Sequence, residues 1–177
     1  AGITGGELIL KNGRLEHLES FAAVLEQAGV ICTSVAGGIH VVATSDRPLS
    51  ANVTTDPYPG FATDLQAQVM SLMVVAQGEA VMKETIFENR FMHVPELARM
   101  GAHIEVDGNT ATVFGPTRSA GAQVMATDLR ASASLVLAGL AADKTTEISR
   151  IYHLDRGYEN LEEKFRSLGA DIERVPG

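Results

Sequence analysis

Apolar positions along this chain change period several times, and the changes recur in the same order. Leu65, Val69, Leu72, Met73 and Ala76 return at helical spacing. Ahead of them Thr63-Asp64-Leu65-Gln66 reads as a T-x-x-Q capping box, and Gly78 behind them closes the predicted helix. A short strand is predicted from Ala80 to Thr85, then a second helix over about His93 to Met100 with Gly101 as its cap. Ala102 to Val106 and Thr110 to Phe114 follow as two strands, joined by the turn Asp107-Gly108-Asn109. The pattern then restarts: a helix from Asp128 to about Ala141, a strand through Glu147–Ile151 and a helix from about Tyr158 to Leu168. Before residue 60 only the later part of the pattern is present, with Gly37-Gly38 as a hairpin turn.

Short phrases repeat at matching distances. Gly6-Glu7-Leu8-Ile9 aligns with Gly78-Glu79-Ala80-Val81, and Ala28-Gly29-Val30-Ile31 with Met100-Gly101-Ala102-His103, both at a shift of 72. Thr63-Asp64-Leu65 returns as Thr127-Asp128-Leu129 at a shift of 64, and Gly101-Ala102-His103-Ile104-Glu105 as Gly169-Ala170-Asp171-Ile172-Glu173 at 68. Units of this size exceed solenoid repeats of roughly 20–50 residues, so duplicated small α/β subdomains are expected. Their approximate bounds are 1–60, 61–124 and 125–177, within one domain of 177 residues. The first copy opens near the end of its first helix, at Ala1-Gly2-Ile3, and so reads as part of something longer.

Composition narrows the function classes. With 45% hydrophobic and 20% charged residues, the chain is of ordinary globular make-up. A formal charge of −8 argues against a general nucleic-acid or anionic-membrane binder. The longest apolar stretch, Ala131 to Ala142, is too short for a membrane span of ~20 residues, and no signal peptide opens the chain, so a cytoplasmic protein is expected. One cysteine, Cys32, excludes an internal disulfide; in the run Val30-Ile31-Cys32 it reads as a buried, inert thiol. The five histidines show no metal-ligand spacing, and no G-x-x-x-x-G-K-[ST] phosphate loop occurs.

The cations carry more information, being ten Arg against four Lys. Arginine grips carboxylate and phosphate through a rigid fork, so an acidic chain that keeps its positive charge as Arg suits small anions. Arg90 and Arg156 are expected between a strand and a helix, and Arg130 in the first turn of a helix. A cation in a first turn opposes the helix dipole unless an anion or carboxylate offsets it. Together the three suggest an anion clamp; singly, each is an ordinary surface ion pair. Asp64 and Asp128, in the paired T-D-L turns, stand beside free backbone N–H groups at helix N-termini, a natural site for an anion; the alternative is simple N-capping.

From Phe61 to Gly177 the sequence resembles the UDP-N-acetylglucosamine enolpyruvyl transferase (1-carboxyvinyltransferase) family. The resemblance rests on Thr63-Asp64-Leu65-Gln66-Ala67-Gln68, Glu84-Thr85-Ile86-Phe87-Glu88-Asn89-Arg90-Phe91, Met125-Ala126-Thr127-Asp128-Leu129-Arg130-Ala131-Ser132 and Asp155-Arg156-Gly157-Tyr158-Glu159. The first 60 residues match more loosely. The resemblance implies a mixed α/β fold of βαβαββ subdomains around a pseudo-threefold axis, two such domains making the whole enzyme. It also implies transfer of the enolpyruvyl group of phosphoenolpyruvate to the 3-hydroxyl of UDP-N-acetylglucosamine, in peptidoglycan synthesis, without metal or organic cofactor. On this resemblance Asp64 contacts the sugar and is the base for its hydroxyl, while Ile86, through its backbone, and Phe87 seat the nucleotide sugar. Arg90, Arg130 and Arg156 surround the phosphoenolpyruvate anion, with Asp128 implicated in proton transfer. Arg156 is counted with Asp64 and Asp128 in the catalytic set.

The resemblance covers one half of the family's two-domain enzyme. The family's loop cysteine, its lysine and its further arginines have no counterpart here, and Cys32 does not match that cysteine. The family site lies between the two domains, so this chain is expected to supply one wall and to be inactive alone. The alternative is a free-standing, noncatalytic folded domain.

Overall fold

The computed structural model describes residues 1–175. The chain begins with β1 (Glu7–Lys11), α1 (Glu19–Gln27), β2 (Val30–Val35) and β3 (Gly38–Ala43), forming an antiparallel sheet in the order β1-β3-β2. Gly37, with φ +83°, makes the expected β2–β3 hairpin turn, and Gly38 lies so close to the Leu10 carbonyl that a Cβ would not fit. β4 (Val53–Thr54), α2 (Gln66–Val75), β5 (Gly78–Lys83), α3 (Val94–Arg99), β6 (His103–Asp107) and β7 (Thr110–Gly115) follow, with sheet order β4-β5-β7-β6. This second unit contains the full βαβαββ sequence of elements. The last stretch holds β8 (Gln123–Met125), α4 (Leu129–Leu140), β9 (Glu147–Ser149), α5 (Tyr152–Asp155) and α6 (Leu161–Ser167), with β8 and β9 paired in parallel.

Helices α2 and α4 pack against each other at the centre. Eight of the ten residues of α2 are buried, so the helix is enclosed nearly all round rather than along one stripe. Ser71 and Ser134 keep the contact close, the Ser71 hydroxyl donating 2.8 Å to the Ser134 carbonyl. Around this pair Met70, Met73, Met82, Leu97 and Leu135 are fully buried in one continuous core. The first unit has, among the described residues, no helix matching α2 and α4. An apolar groove of about 240 Å³ lies there, lined by Leu8, Phe21, Val30, Ile39, Val41 and Leu72.

Several local expectations are corrected. The Thr63 side chain does not cap α2; a 3-10 turn over Thr63–Leu65 precedes the helix, and the Thr63 hydroxyl donates to Glu84 instead. Gly78 does not close α2, which ends at Val75 with Ala76 already extended; Gly78 opens β5. β9 stops at Ser149 because Arg150 turns to φ +58°, and the final helix begins only at Leu161, after Asn160 at φ +47°. Arg156 therefore follows the short helix α5 rather than a strand. Cys32 is half-buried in β2 rather than buried, and desolvation raises its thiol pKa. The last two residues of the expected third repeat, Pro176 and Gly177, lie outside the described residues.

Candidate active site

Asp64 sits in the 3-10 turn that leads into α2, where local geometry gives its carboxylate no capping duty. Arg90, in the turn between β5 and α3, donates from Nη2 to Asp64 Oδ1 at 3.0 Å. Arg130, in the first turn of α4, reaches the same oxygen from Nε at 2.5 Å. The cation that opposes the α4 dipole is thus offset by a carboxylate from another unit. Both arginines converge on Oδ1, and Oδ2 accepts no hydrogen bond from the described residues. The Asp64 side chain remains 58% exposed while those of Arg90 and Arg130 are 21% and 35% exposed, so the carboxylate faces solvent with its cations behind it.

The second T-D-L turn behaves differently. Asp128 caps α4, its Oδ1 accepting from the backbone of Arg130 at 2.7 Å and Ala131 at 3.0 Å. The bland reading of an N-cap therefore holds for the Oδ1 atom of Asp128 and fails for Asp64. Capping fixes Arg130 in the first helical turn, from which it reaches Asp64.

Ile86 and Phe87 lie just beyond β5 and are exposed. The Arg90 guanidinium stands 5.0 Å from the centre of the Phe87 ring, a cation–π contact that orients it toward Asp64. Arg156, exposed and without a hydrogen-bond partner among the described residues, ends α5. Its neighbours place that turn at the same end of the domain. Gly157 packs so closely on Leu129 that a Cβ would lie 2.9 Å from Leu129 Cδ2, and Tyr158 takes a hydrogen bond of 3.4 Å from Gln68 of α2. The starts of α2 and α4, the β5–α3 turn and the α5–α6 turn thus meet at one edge. No group of three or more His, Cys, Asp or Glu among the described residues is placed to hold a metal ion.

Two buried polar residues beneath this edge were not singled out from the sequence. Glu84, 2% exposed, follows β5 and accepts four hydrogen bonds. Burial alone raises its carboxyl pKa; hydrogen bonds from Thr55, Ile86, Thr63 and Phe87 outweigh that and hold it below the usual range. His93, also 2% exposed, stands at the start of α3 with Nε2 3.1 Å from the Met70 sulfur. Its desolvation is the main reason that its pKa is lowered to about 4, the Arg90 charge adding in the same direction against Asp128. A glutamate at a strand end that accepts from the amides two and three residues further on is a short-range signal that reading for helices and strands passes over.

An α/β scaffold that gathers an exposed carboxylate and three arginines at one edge is suited to an anionic substrate bearing a hydroxyl. The family model for EPSP synthase (3-phosphoshikimate 1-carboxyvinyltransferase) matches residues 1–165, and the chain belongs to this family of carboxyvinyltransferases. Among curated relatives, a UDP-N-acetylglucosamine 1-carboxyvinyltransferase of Geobacter metallireducens is 59% identical over 175 residues, covering 99% of this chain. One of Novosphingobium aromaticivorans is 58% identical over 178 residues, covering 100% of it. The chain spans 42% and 41% of these two relatives' lengths. The enolpyruvyl transferase NikO from Streptomyces tendae superposes with a TM-score of 0.88 at 29% identity, over 98% of this chain and 42% of that one. An EPSP synthase from Acinetobacter baumannii shares the fold, with a TM-score of 0.72 at 16% identity over 98% of this chain and 41% of that one. No helix among the described residues is long and apolar enough to cross a membrane.

Proposed function

We propose that this chain forms one wall of the active site of a cytoplasmic UDP-N-acetylglucosamine 1-carboxyvinyltransferase of peptidoglycan synthesis. Phosphoenolpyruvate and UDP-N-acetylglucosamine are its substrates, and a second domain supplies the facing wall. The observation that carries the reading is the Asp64 carboxylate, held by two arginines on one oxygen while the side chain stays open to solvent. Oδ2 accepts the proton of the sugar 3-hydroxyl as the hydroxyl oxygen bonds to C2 of phosphoenolpyruvate, while the C2=C3 π pair takes a proton onto C3 from an acid of the closed site. Elimination then gives a C3 proton back to the conjugate base of that acid, and the C–H pair re-forms the double bond. The C2–O bond breaks with its electron pair leaving on inorganic phosphate, which yields the carboxyvinyl ether.

The arginine forks match the carboxylate and phosphate of phosphoenolpyruvate, and Arg156, without a hydrogen-bond partner among the described residues, is the arm that closes on them. Asp128 fixes Arg130 through the cap, and its second carboxylate oxygen assists proton transfer at C3. Ile86 presents backbone, and Phe87 an exposed ring, to the nucleotide sugar.

The test is Asp64→Asn in the complete transferase polypeptide carrying this chain. The substitution keeps shape but removes the base, so turnover should fall by roughly 10²–10⁴ with both substrates still bound. If Asp64 served only the fold, the variant would unfold more easily yet turn over near the normal rate, and that result would overturn the proposal.

A further inference from the structure

The site just proposed draws on two separate stretches, the Asp64 turn and the Ile86–Phe87 backbone, and one buried side chain touches both. Glu84 Oε1 accepts from the Thr55 hydroxyl at 2.8 Å and from the backbone of Ile86 at 2.8 Å and Phe87 at 3.2 Å. Its Oε2 accepts from the hydroxyl of Thr63, the residue before Asp64, at 2.9 Å. Its own backbone is fastened to Asn109 in the β6–β7 turn, through both the Glu84 amide and the Glu84 carbonyl. Thr55, wholly buried, is held in turn by Thr85, whose amide donates to the Thr55 hydroxyl and whose hydroxyl donates to the Thr55 carbonyl. No Lys or Arg among the described residues pairs with Glu84.

A buried carboxylate without a cation is an expensive choice for stability alone, since packed apolar side chains of similar volume often serve a fold equally well. What an ionised carboxylate adds is acceptor capacity at two separate oxygens and no donor to misplace. Here the two oxygens divide the work, Oε1 facing the nucleotide-seating backbone and Oε2 facing the Asp64 turn. We infer that Glu84 is a positioning residue that holds the Asp64 turn and the Ile86–Phe87 backbone in one register for the nucleotide sugar. The inference rests on the function proposed above and goes beyond it in assigning the coupling of base and sugar seat to one side chain. Phosphoenolpyruvate, gripped by arginine forks, is outside its reach.

The experiment compares Glu84→Ala, Glu84→Gln, Thr63→Val and Asp64→Asn in the complete transferase polypeptide carrying this chain, each verified as folded by circular dichroism and thermal unfolding. Glu84→Ala frees both stretches, so KM for UDP-N-acetylglucosamine should rise at least about tenfold and kcat fall at least about tenfold, with KM for phosphoenolpyruvate within about threefold. Glu84→Gln keeps an oxygen toward Thr55, Ile86 and Phe87, so it should restore the sugar KM to within about threefold of the parent. Thr63→Val cuts only the Asp64 link, so it should lower kcat at least about fivefold and leave the sugar KM within about twofold. Folded Glu84→Ala with unchanged constants, or with both KM values raised equally, would overturn the inference. Should Glu84→Ala not fold, Thr63→Val with unaltered kcat overturns it equally well. Asp64→Asn separates the two levels: normal turnover there sinks the proposed function itself, whereas lost turnover there with silent Glu84 and Thr63 variants sinks the positioning role alone.

Discussion

Lowering the pH should weaken this domain through one residue, His93. In the fold its imidazole is 2% exposed, and desolvation first, then the Arg90 charge, lowers its pKa from 6.5 to about 4. In the unfolded chain the same ring titrates near its ordinary value. Between these values the unfolded state takes up a proton that the folded state refuses, so stability is intact at pH 7 and declines as pH falls from about 6.5 toward 4. A lowering of about 2.5 units, at 1.36 kcal/mol each, sets the full loss at about 3 kcal/mol, and about 2 kcal/mol of it is already gone at pH 5.

Urea unfolding of the chain at pH 7 and pH 5 measures the effect. With a denaturant slope of about 2 kcal/mol per molar for a domain of this size, the midpoint should drop by about 1 M from this residue alone. His93→Gln supplies the reference, because it cannot take the proton while every other titrating group stays in place. The parent chain should lose about 2 kcal/mol more than His93→Gln between the two pH values. Glu84, whose carboxyl its hydrogen bonds hold below the usual range, does not blur the comparison, since it is present in both proteins and its contribution cancels. Equal losses in the two proteins would refute the reasoning and mean that the folded site accommodates the proton. The residue matters to the site because a charged ring under Arg90 would repel the guanidinium that holds Asp64.

Two further outcomes are expected. Arg156→Lys, tested in the complete transferase polypeptide, keeps the charge but loses the fork; it should raise KM for phosphoenolpyruvate about tenfold while changing that for the sugar nucleotide by less than about threefold, as steady-state kinetics would read. Gly115→Ala would drive a Cβ into the Ala76 carbonyl and within 2.8 Å of the Met73 carbonyl, both backbone at the end of α2. With no side chain there to yield, the overpacking should cost about 1–3 kcal/mol, read as a lowered thermal unfolding midpoint.

The elements legible in the sequence are those whose signals are local. Gly101 at φ +101° ends α3 as expected, and β6 and β7 fall within a residue or two of the predicted runs around the Gly108 turn. The helix expected from Asp128 to about Ala141 is α4, with Asp128 as its cap. β4 and β8 escaped notice because strands of two and three residues, paired in parallel, leave no alternation to read.

The identical T-D-L phrases show where local reading stops. Asp128 obeys the local rule, since its carboxylate finds two helix amides within reach, whereas the Thr127 hydroxyl is buried without a partner among the described residues. Thr63 and Asp64 carry the same letters, yet Thr63 turns to Glu84 and Asp64 to Arg90 and Arg130. What differs is not the phrase but the residue that follows the next strand. After β5 a glutamate enters the interior, whereas after β9 the corresponding stretch, Ser149-Arg150-Ile151, carries no acid and turns away at φ +58°. The T-D-L turn whose threonine bonds this buried carboxylate presents its aspartate to the arginines and solvent, and the turn without one caps its helix. Glu84 is therefore the residue to change first, because its removal should push the Asp64 turn toward the arrangement already seen at Asp128.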